Sequence, residues 1–246
     1  MDKLAHSSLT AMRGIMAHQT AVANNIANAN TTGFRAEIIN ARANYLALAN
    51  GPVQATSDEQ VAAADMASGT VTATGRPLDV ALNGDAMLSV QAPDGATAYT
   101  RRGDLQVSDS GLVTSGSRDP VLGKNGPLVL PPFDKVSITP DGGVWIAPQG
   151  DTTGQLQQID RLALSSFKGS AIVKGEDGLF RVPGGGILPD DPDARLTPAS
   201  LEGSNVNMTK SLVEMIEASR AYETQVKLLS SAQEMDQAGA GLMRLP

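Results

Sequence analysis

The sequence predicts an α+β fold, in which N- and C-terminal coiled-coil-forming helices flank a mainly antiparallel β domain. Two observations carry this expectation. Near both ends, apolar and small residues recur at alternating intervals of four and three, the period of a narrow helical seam. Between them, from about Thr70 to Val182, that period gives way to short runs punctuated by turn residues. The implied division is 1–33 for an N-terminal helix, 34–69 for a connecting segment, 70–198 for the β domain and 199–246 for a C-terminal helix.

The N-terminal seam runs through Ala5, Leu9, Met12, Met16, Gln19, Ala23 and Ile26. From Lys3 to Ala29 such a helix extends roughly 40 Å at about 1.5 Å per residue. It ends in the stretch ANNIANANTTGFR, where Asn24, Asn25, Asn28 and Asn30 precede a break at Thr31-Thr32-Gly33. Asparagine is a mediocre helix former because its side chain competes for backbone hydrogen bonds. Two readings stand side by side. Asn28 and Asn30 suit the left-handed conformation that closes a helix. Alternatively, Asn24 and Asn28, one turn apart with Asn25 beside them, bond to neighbouring helices and fix their register.

Phe34, Ile38, Ala41, Tyr45 and Leu48 repeat the same intervals and predict a further helix, weakened by Asn40 and Asn44. Residues 50–68, GPVQATSDEQVAAADMASG, read as a linker. The β runs follow: TVTAT, LDVAL, AMLSV, AYTRR, DLQVS, GLVTS, PLVLP, VSITP, VWIA, LALSSF and LFRVP. Turns such as Pro93-Asp94-Gly95, Asp109-Ser110-Gly111, Asp141-Gly142-Gly143 and Asp177-Gly178 separate them, as in hairpins and meanders. A Gly/Pro/Asp-rich loop at 184–198 closes the domain. Asn207 then suits an N-cap, and Met208, Leu212, Met215, Ser219, Tyr222, Val226 and Leu229 form the second seam. That helix is expected to reach about Gln237, with Gly239 and Gly241 fraying its end.

Composition narrows the function. The 246-residue chain carries a formal charge of −7, which argues against nucleic acid or an anionic membrane as its main partner. Without cysteine it has no disulfide, thiolate ligand or thiol nucleophile. No apolar run approaches the ~18 residues of a membrane span. The stretch MDKLAHSSLTAMRG lacks the apolar core of a secretory signal, so any export is expected to use a route that does not read one.

No cofactor, metal or catalytic centre is expected. GSRDPVLGKNG fails as a phosphate-binding loop: its glycines are too far apart, Pro120 intervenes, and Asn125 stands where a Ser or Thr is needed. His6 and His18 lie more than three helical turns apart, too far to share a metal. Asp190-Asp191-Pro192-Asp193 lacks the glycine and terminal glutamate of an EF-hand loop. The triplets Asn30-Thr31-Thr32 and Asn207-Met208-Thr209 are frequent by chance.

The assembled motifs resemble the flagellar rod and hook family of axial proteins. Ala23-Asn24-Asn25-Ile26-Ala27-Asn28 leading into Thr31-Thr32-Gly33-Phe34-Arg35 is similar to that family's N-terminal signature. Thr74-Gly75-Arg76-Pro77-Leu78-Asp79-Val80-Ala81-Leu82 is similar to the segment opening its β domain. Ala98-Tyr99-Thr100-Arg101-Arg102-Gly103-Asp104-Leu105-Gln106-Val107 continues the match, followed by Gly111-Leu112-Val113 and Pro120-Val121-Leu122-Gly123. Leu201-Glu202-Gly203-Ser204-Asn205-Val206-Asn207, Met215-Ile216-Glu217 and Arg220-Ala221-Tyr222-Glu223 resemble its C-terminal signature. Distal-rod and hook members usually carry Gly-x-Gly-Phe-Phe where this chain has Asn83-Gly84-Asp85-Ala86-Met87-Leu88. That departure, the short length and Asp177-Gly178-Leu179-Phe180-Arg181 point toward a different rod member.

The resemblance implies a non-enzymatic structural subunit of the basal-body rod, exported through the flagellar type III apparatus. It implies terminal helices packed in the inner tube with the β domain outside. The partners would be proximal and distal rod subunits and copies of itself, without nucleic acid or membrane insertion. The expected assembly interface comprises Leu9, Met12, Met16, Asn24, Asn25, Ile26, Asn28, Thr31, Gly33, Phe34, Asn205, Asn207, Leu212, Met215, Tyr222, Val226 and Leu229. The alternatives are a distal-rod paralogue or, outside the family, a carbohydrate- or peptide-binding β module oligomerised by its helices. A hydrolase would need a titratable constellation that the sequence does not offer.

Overall fold

The N-terminal seam folds as helix α1, Asp2–Ala27, and the C-terminal seam as helix α2, Met208–Leu242. The computed structural model describes residues 2–46, 54–150 and 155–242, which form two compact units. Unit 1 holds α1, α2 and an antiparallel pair of strands, β1 (Glu37–Leu46) and β2 (Gln54–Ala64). Unit 2 holds residues 30–35 and 66–205. No helix among the described residues is long and apolar enough to cross a membrane.

Asn207 caps α2 as expected: its Oδ1 accepts the Lys210 N–H at 3.0 Å, and its carbonyl accepts the Ser211 N–H at 2.9 Å. The helix runs past Gln237 to Leu242, so Gly239 and Gly241 do not end it. Each glycine costs only about 1 kcal/mol relative to alanine, too little to stop an established helix.

The helix expected across Phe34, Ile38, Ala41 and Tyr45 is not formed; β1 occupies residues 37–46, and Leu48 lies outside the described residues. Of the linker expected at 50–68, residues 54–64 form β2, residues 65–68 carry no regular structure, and residues 50–53 are likewise outside. The pairing runs from Glu37 opposite Ala64 to Leu46 opposite Gln54, with one register shift at Ile38/Ile39. Two adjacent β-branched residues and two asparagines disfavour helix here, and a long ladder satisfies every second backbone group instead.

On α1, Gly14, Ala21, Val22 and Asn25 are buried; of the expected seam Met12, Gln19 and Ile26 are half-buried, while Met16 and Ala23 are exposed. On α2, Ser211 and Ala218 are buried, one position before Leu212 and Ser219. The cause is that α1 packs against both α2 and the β1–β2 pair, so its covered arc is wider than a two-helix seam. Gln19 Nε2 donates to Ser219 Oγ at 3.4 Å between the helices. His18 and Ile15 face Glu214, Glu217 and Ala218 around a cavity of about 230 Å³.

Unit 2 is antiparallel throughout its named sheets, as the turn signals foretold. Its largest sheet orders the strands Leu164–Ser166, Ala86–Gln91, Thr97–Thr100, Phe180–Arg181 and Val173–Lys174. A second sheet joins Phe133–Ile138, Gly143–Pro148 and Gln157–Arg161. Val80, Leu82, Leu88, Val90, Leu105, Val121, Ile146 and Leu162 fill the core they enclose. Burying each such side chain contributes about 1.5–3 kcal/mol, which anchors the unit. Two pairings lie where the sequence suggested a loop or helix. Leu196–Pro198 pairs with Val80–Leu82, and Ser200–Glu202 pairs with Val71–Ala73. Tyr99 and Phe180 are core residues, and the Tyr99 hydroxyl accepts the Leu188 N–H at 2.7 Å.

Candidate assembly interface and a buried arginine junction

On the helices of unit 1 the expected interface residues divide by exposure. Leu9 and Met16 on α1, with Leu212 and Val226 on α2, are exposed. Met12, Ile26, Met215, Tyr222 and Leu229 are half-buried. Val213, Ile216, Leu228 and Met235, absent from the expectation, are also exposed, Ile216 by 54%. One side of α2 is therefore lined by Ser211 and Ala218, while its outward side carries larger aliphatics. Such a run of exposed aliphatics on one helix marks a contact surface more often than chance scatter does.

The asparagines act within the chain. Asn25 is buried, its Nδ2 donating to the Glu37 carbonyl at 3.0 Å while its Oδ1 accepts the Glu37 N–H at 2.8 Å. One amide side chain thus satisfies both main-chain groups of the residue that opens β1. Asn24 Nδ2 donates to Glu37 Oε1 at 2.6 Å, and Asn28 Nδ2 donates to the Asn24 carbonyl at 3.0 Å and its Oδ1 at 2.8 Å. In unit 1 these bonds join the end of α1 to the strand that leaves it. Replacing Asn25 by alanine should destabilise unit 1 by about 2 kcal/mol, because two part-buried main-chain groups each lose a hydrogen bond. Hydrogen exchange at the Glu37 amide, faster in the variant, is the measurement.

Within unit 2, Thr31, Gly33, Phe34 and Asn205 meet around three charged residues. Glu202 accepts from Arg35 Nη2 on Oε1 at 2.7 Å, and from Arg101 Nη2 and Nε on Oε2 at 2.7 and 3.0 Å. Both arginines and the glutamate are 1% exposed at their side chains. The Gly69 N–H also donates to Glu202 Oε1, at 3.0 Å. The rest of the Arg101 guanidinium reaches the carbonyls of Leu82, Gly84 and Ala86, each at 2.7 Å. Burial presses Arg101 below its ordinary range; Glu202 opposes this, and the like charge of Arg35 adds to it.

The turn around this junction requires glycine. Gly33 has φ +67°, and a Cβ there would lie 2.4 Å from the Arg101 carbonyl oxygen. Its N–H donates to the Glu202 carbonyl at 2.8 Å. The Asn205 N–H reaches the Phe34 carbonyl at 3.4 Å, and its Nδ2 donates to the Ala67 carbonyl at 2.9 Å. Lys174 donates to the Arg35 carbonyl at 3.0 Å and sits 3.6 Å from the Phe34 ring centroid, a cation–π contact. Thr31 closes the turn by accepting the Phe34 N–H at 3.2 Å.

Sequence reasoning named neither Arg35, Arg101 and Glu202 nor Lys174 and Glu37 as site residues. A signal existed for the first three: each stands inside a quoted motif, Arg35 after Phe34, Arg101 between Thr100 and Arg102, and Glu202 between Leu201 and Gly203. Nothing in their spacing, 167 positions for Arg35 to Glu202, shows that they meet.

Comparison with known proteins matches three segments of the chain. Residues 9–35 match the model of the flagella basal body rod protein, and 81–146 that of the flagellar hook protein FlgE/F/G D1 domain. Residues 197–242 match the flagellar basal body rod FlgEFG protein C-terminal model. Arg35, Arg101 and Glu202 each come from a different one of these three segments. The chain is 36% identical over 240 residues to the flagellar basal-body rod protein FlgF of Escherichia coli, covering 95% of both chains. It is equally 36% identical to FlgF of Salmonella typhimurium over 243 residues, again covering 95% of both. FlgG of Agrobacterium fabrum is 31% identical over 252 residues, covering 92% of this chain and 94% of its own. The chain belongs to the FlgF family of flagellar basal-body rod proteins.

Proposed function

We propose that this protein is a structural subunit of the bacterial flagellar basal-body rod, assembling through its terminal helices into the torque-transmitting axial tube. The observation that carries the assembly mode is the outward aliphatic stripe of α2: Leu212, Val213, Ile216 and Val226 lie exposed on a helix already partnered on its other side. Leu9 and Met16 extend the exposed apolar surface onto α1. Contact there is coiled-coil-like, with helices of proximal and distal rod subunits and of further copies as partners. Export through the flagellar type III machinery delivers the chain to the rod. Thr31, Gly33, Phe34 and Asn205 serve this assembly indirectly by fixing turns of unit 2, and Asn207 serves it by capping α2. Torque then passes through packing alone, and no chemistry is required of the subunit.

A paired measurement tests the stripe. Leu212→Glu combined with Ile216→Glu should leave the unfolding free energy of the purified chain within about 0.5 kcal/mol, since both positions face solvent. In the assembled rod each loses about 1.5–3 kcal/mol of burial and adds the cost of desolvating a carboxylate. Incorporation into isolated basal bodies should therefore be abolished. Normal incorporation of the doubly substituted chain removes α2 from the interface.

A further inference from the structure

Three Asn-Gly dipeptides stand in the chain, at 50–51, 83–84 and 125–126, and the first lies outside the described residues. A glycine after asparagine carries no Cβ to hinder attack of its main-chain nitrogen on the side-chain amide. The other two dipeptides, both within unit 2, treat these reacting groups in opposite ways. Asn125 Nδ2 donates to Asp160 Oδ1 at 3.2 Å, and Gly126 is strand-paired with Gly123. The leaving nitrogen and the attacking one are both held there. At the other dipeptide the Gly84 N–H has no acceptor among the described residues. Thr197 Oγ1 instead donates to Asn83 Oδ1 at 3.1 Å, on the carbonyl that such an attack would meet. Asn83, Gly84 and Thr197 are all exposed, so water reaches them.

We propose that Asn83-Gly84 is a self-modification site, at which Asn83 deamidates through a cyclic imide while Thr197 polarises its carbonyl. The Gly84 nitrogen gives its proton to solvent and bonds to Asn83 Cγ, placing negative charge on Oδ1. The Thr197 hydroxyl already points at that oxygen and stabilises the charge as it forms. The Cγ–Nδ2 bond then breaks, and Nδ2 takes a proton from solvent and leaves as ammonia. Water opens the imide on either side. Attack at Cγ gives aspartate, and attack at the main-chain carbonyl gives isoaspartate. The iso form adds one carbon to the main chain between Leu82 and Gly84. The carbonyls of these two residues both accept from Arg101, Leu82 from Nη2 and Gly84 from Nη1, each at 2.7 Å. A change in an exposed turn is thereby transmitted to the buried arginine junction.

The test is incubation of the full chain at mildly alkaline pH, followed by peptide mapping with mass spectrometry to read amide loss at 83 and 125 separately. A hydrogen bond restrains its donor by roughly two- to tenfold, so the folded chain should lose the Asn83 amide at least about threefold faster than that of Asn125. In denaturant, where the folded contacts are gone, the two rates should converge. Thr197→Val should slow the loss at Asn83 in the folded chain and leave Asn125 unchanged, and Thr197→Ser should restore it. Equal rates at the two positions in the folded chain overturn the proposal. So does a Thr197→Val chain that loses the Asn83 amide as fast as the unsubstituted one.

Discussion

Glu202→Ala is expected to unfold unit 2 or to destabilise it by about 3–5 kcal/mol, the range for breaking a buried ion pair by removing one member. The carboxylate is the only anion between two buried guanidiniums in this cluster, so its loss leaves two buried cations facing each other. It also takes the acceptor from the Gly69 N–H. Glu202→Gln keeps one oxygen acceptor but no charge, and should fall between the alanine variant and the unsubstituted chain. Chemical denaturation followed through Trp145, which lies in the second sheet, measures both. Equal stability of the alanine variant and the unsubstituted chain would show that the triad contributes nothing to the fold.

Gly103→Ala should be comparably severe, for a steric reason. A Cβ built on Gly103 would lie 1.7 Å from the Val80 carbonyl oxygen, a main-chain atom with no rotamer to change. The Gly103 carbonyl meanwhile accepts the Val80 N–H at 3.0 Å and the Leu105 N–H at 3.1 Å. Making room means pulling apart a main-chain contact beside Val80 and Leu105, both in the core. Such overpacking costs about 1–3 kcal/mol even where side chains can adjust, and here the obstacle is backbone. The expected result is a loss of at least about 3 kcal/mol in denaturant unfolding. Gly84→Ala is the control: that position meets nothing within 4 Å, and only its φ of +55° opposes the change.

Much of this architecture was legible because its signals are local. The two helices follow from seam period and the Asn207 cap, and the β runs from turn residues at short intervals. Legibility failed where a pattern served two masters. Ile38, Ala41 and Tyr45 sit at helical spacing, yet the segment is a strand, since a four-three interval over one short stretch does not exclude a ladder. Gln19 and Ser219 of the two seams do meet, but the buried positions of α1 spread beyond its seam because a covering strand pair, invisible to a two-helix template, widened the buried arc. Asn25 was legible as a specificity device, but the object it recognises lies 12 residues on, in an element the sequence did not reveal. The arginine junction is the clearest case: topology, not spacing, brings Arg35, Arg101 and Glu202 together.

The Asn25 clamp has one more consequence, concerning which substitutions this protein can drift through. Because both bonds from Asn25 go to the main chain of residue 37, the contact is blind to what side chain stands there. Nearly any amino acid can occupy position 37 without disturbing it, proline alone being barred because it lacks the N–H. Position 25 has no such latitude: only a side chain offering one donor and one acceptor at amide spacing completes the pair. The mutational burden of this contact therefore falls on Asn25, while the Glu37 side chain answers to a separate contact, the bond from Asn24 Nδ2 to its Oε1.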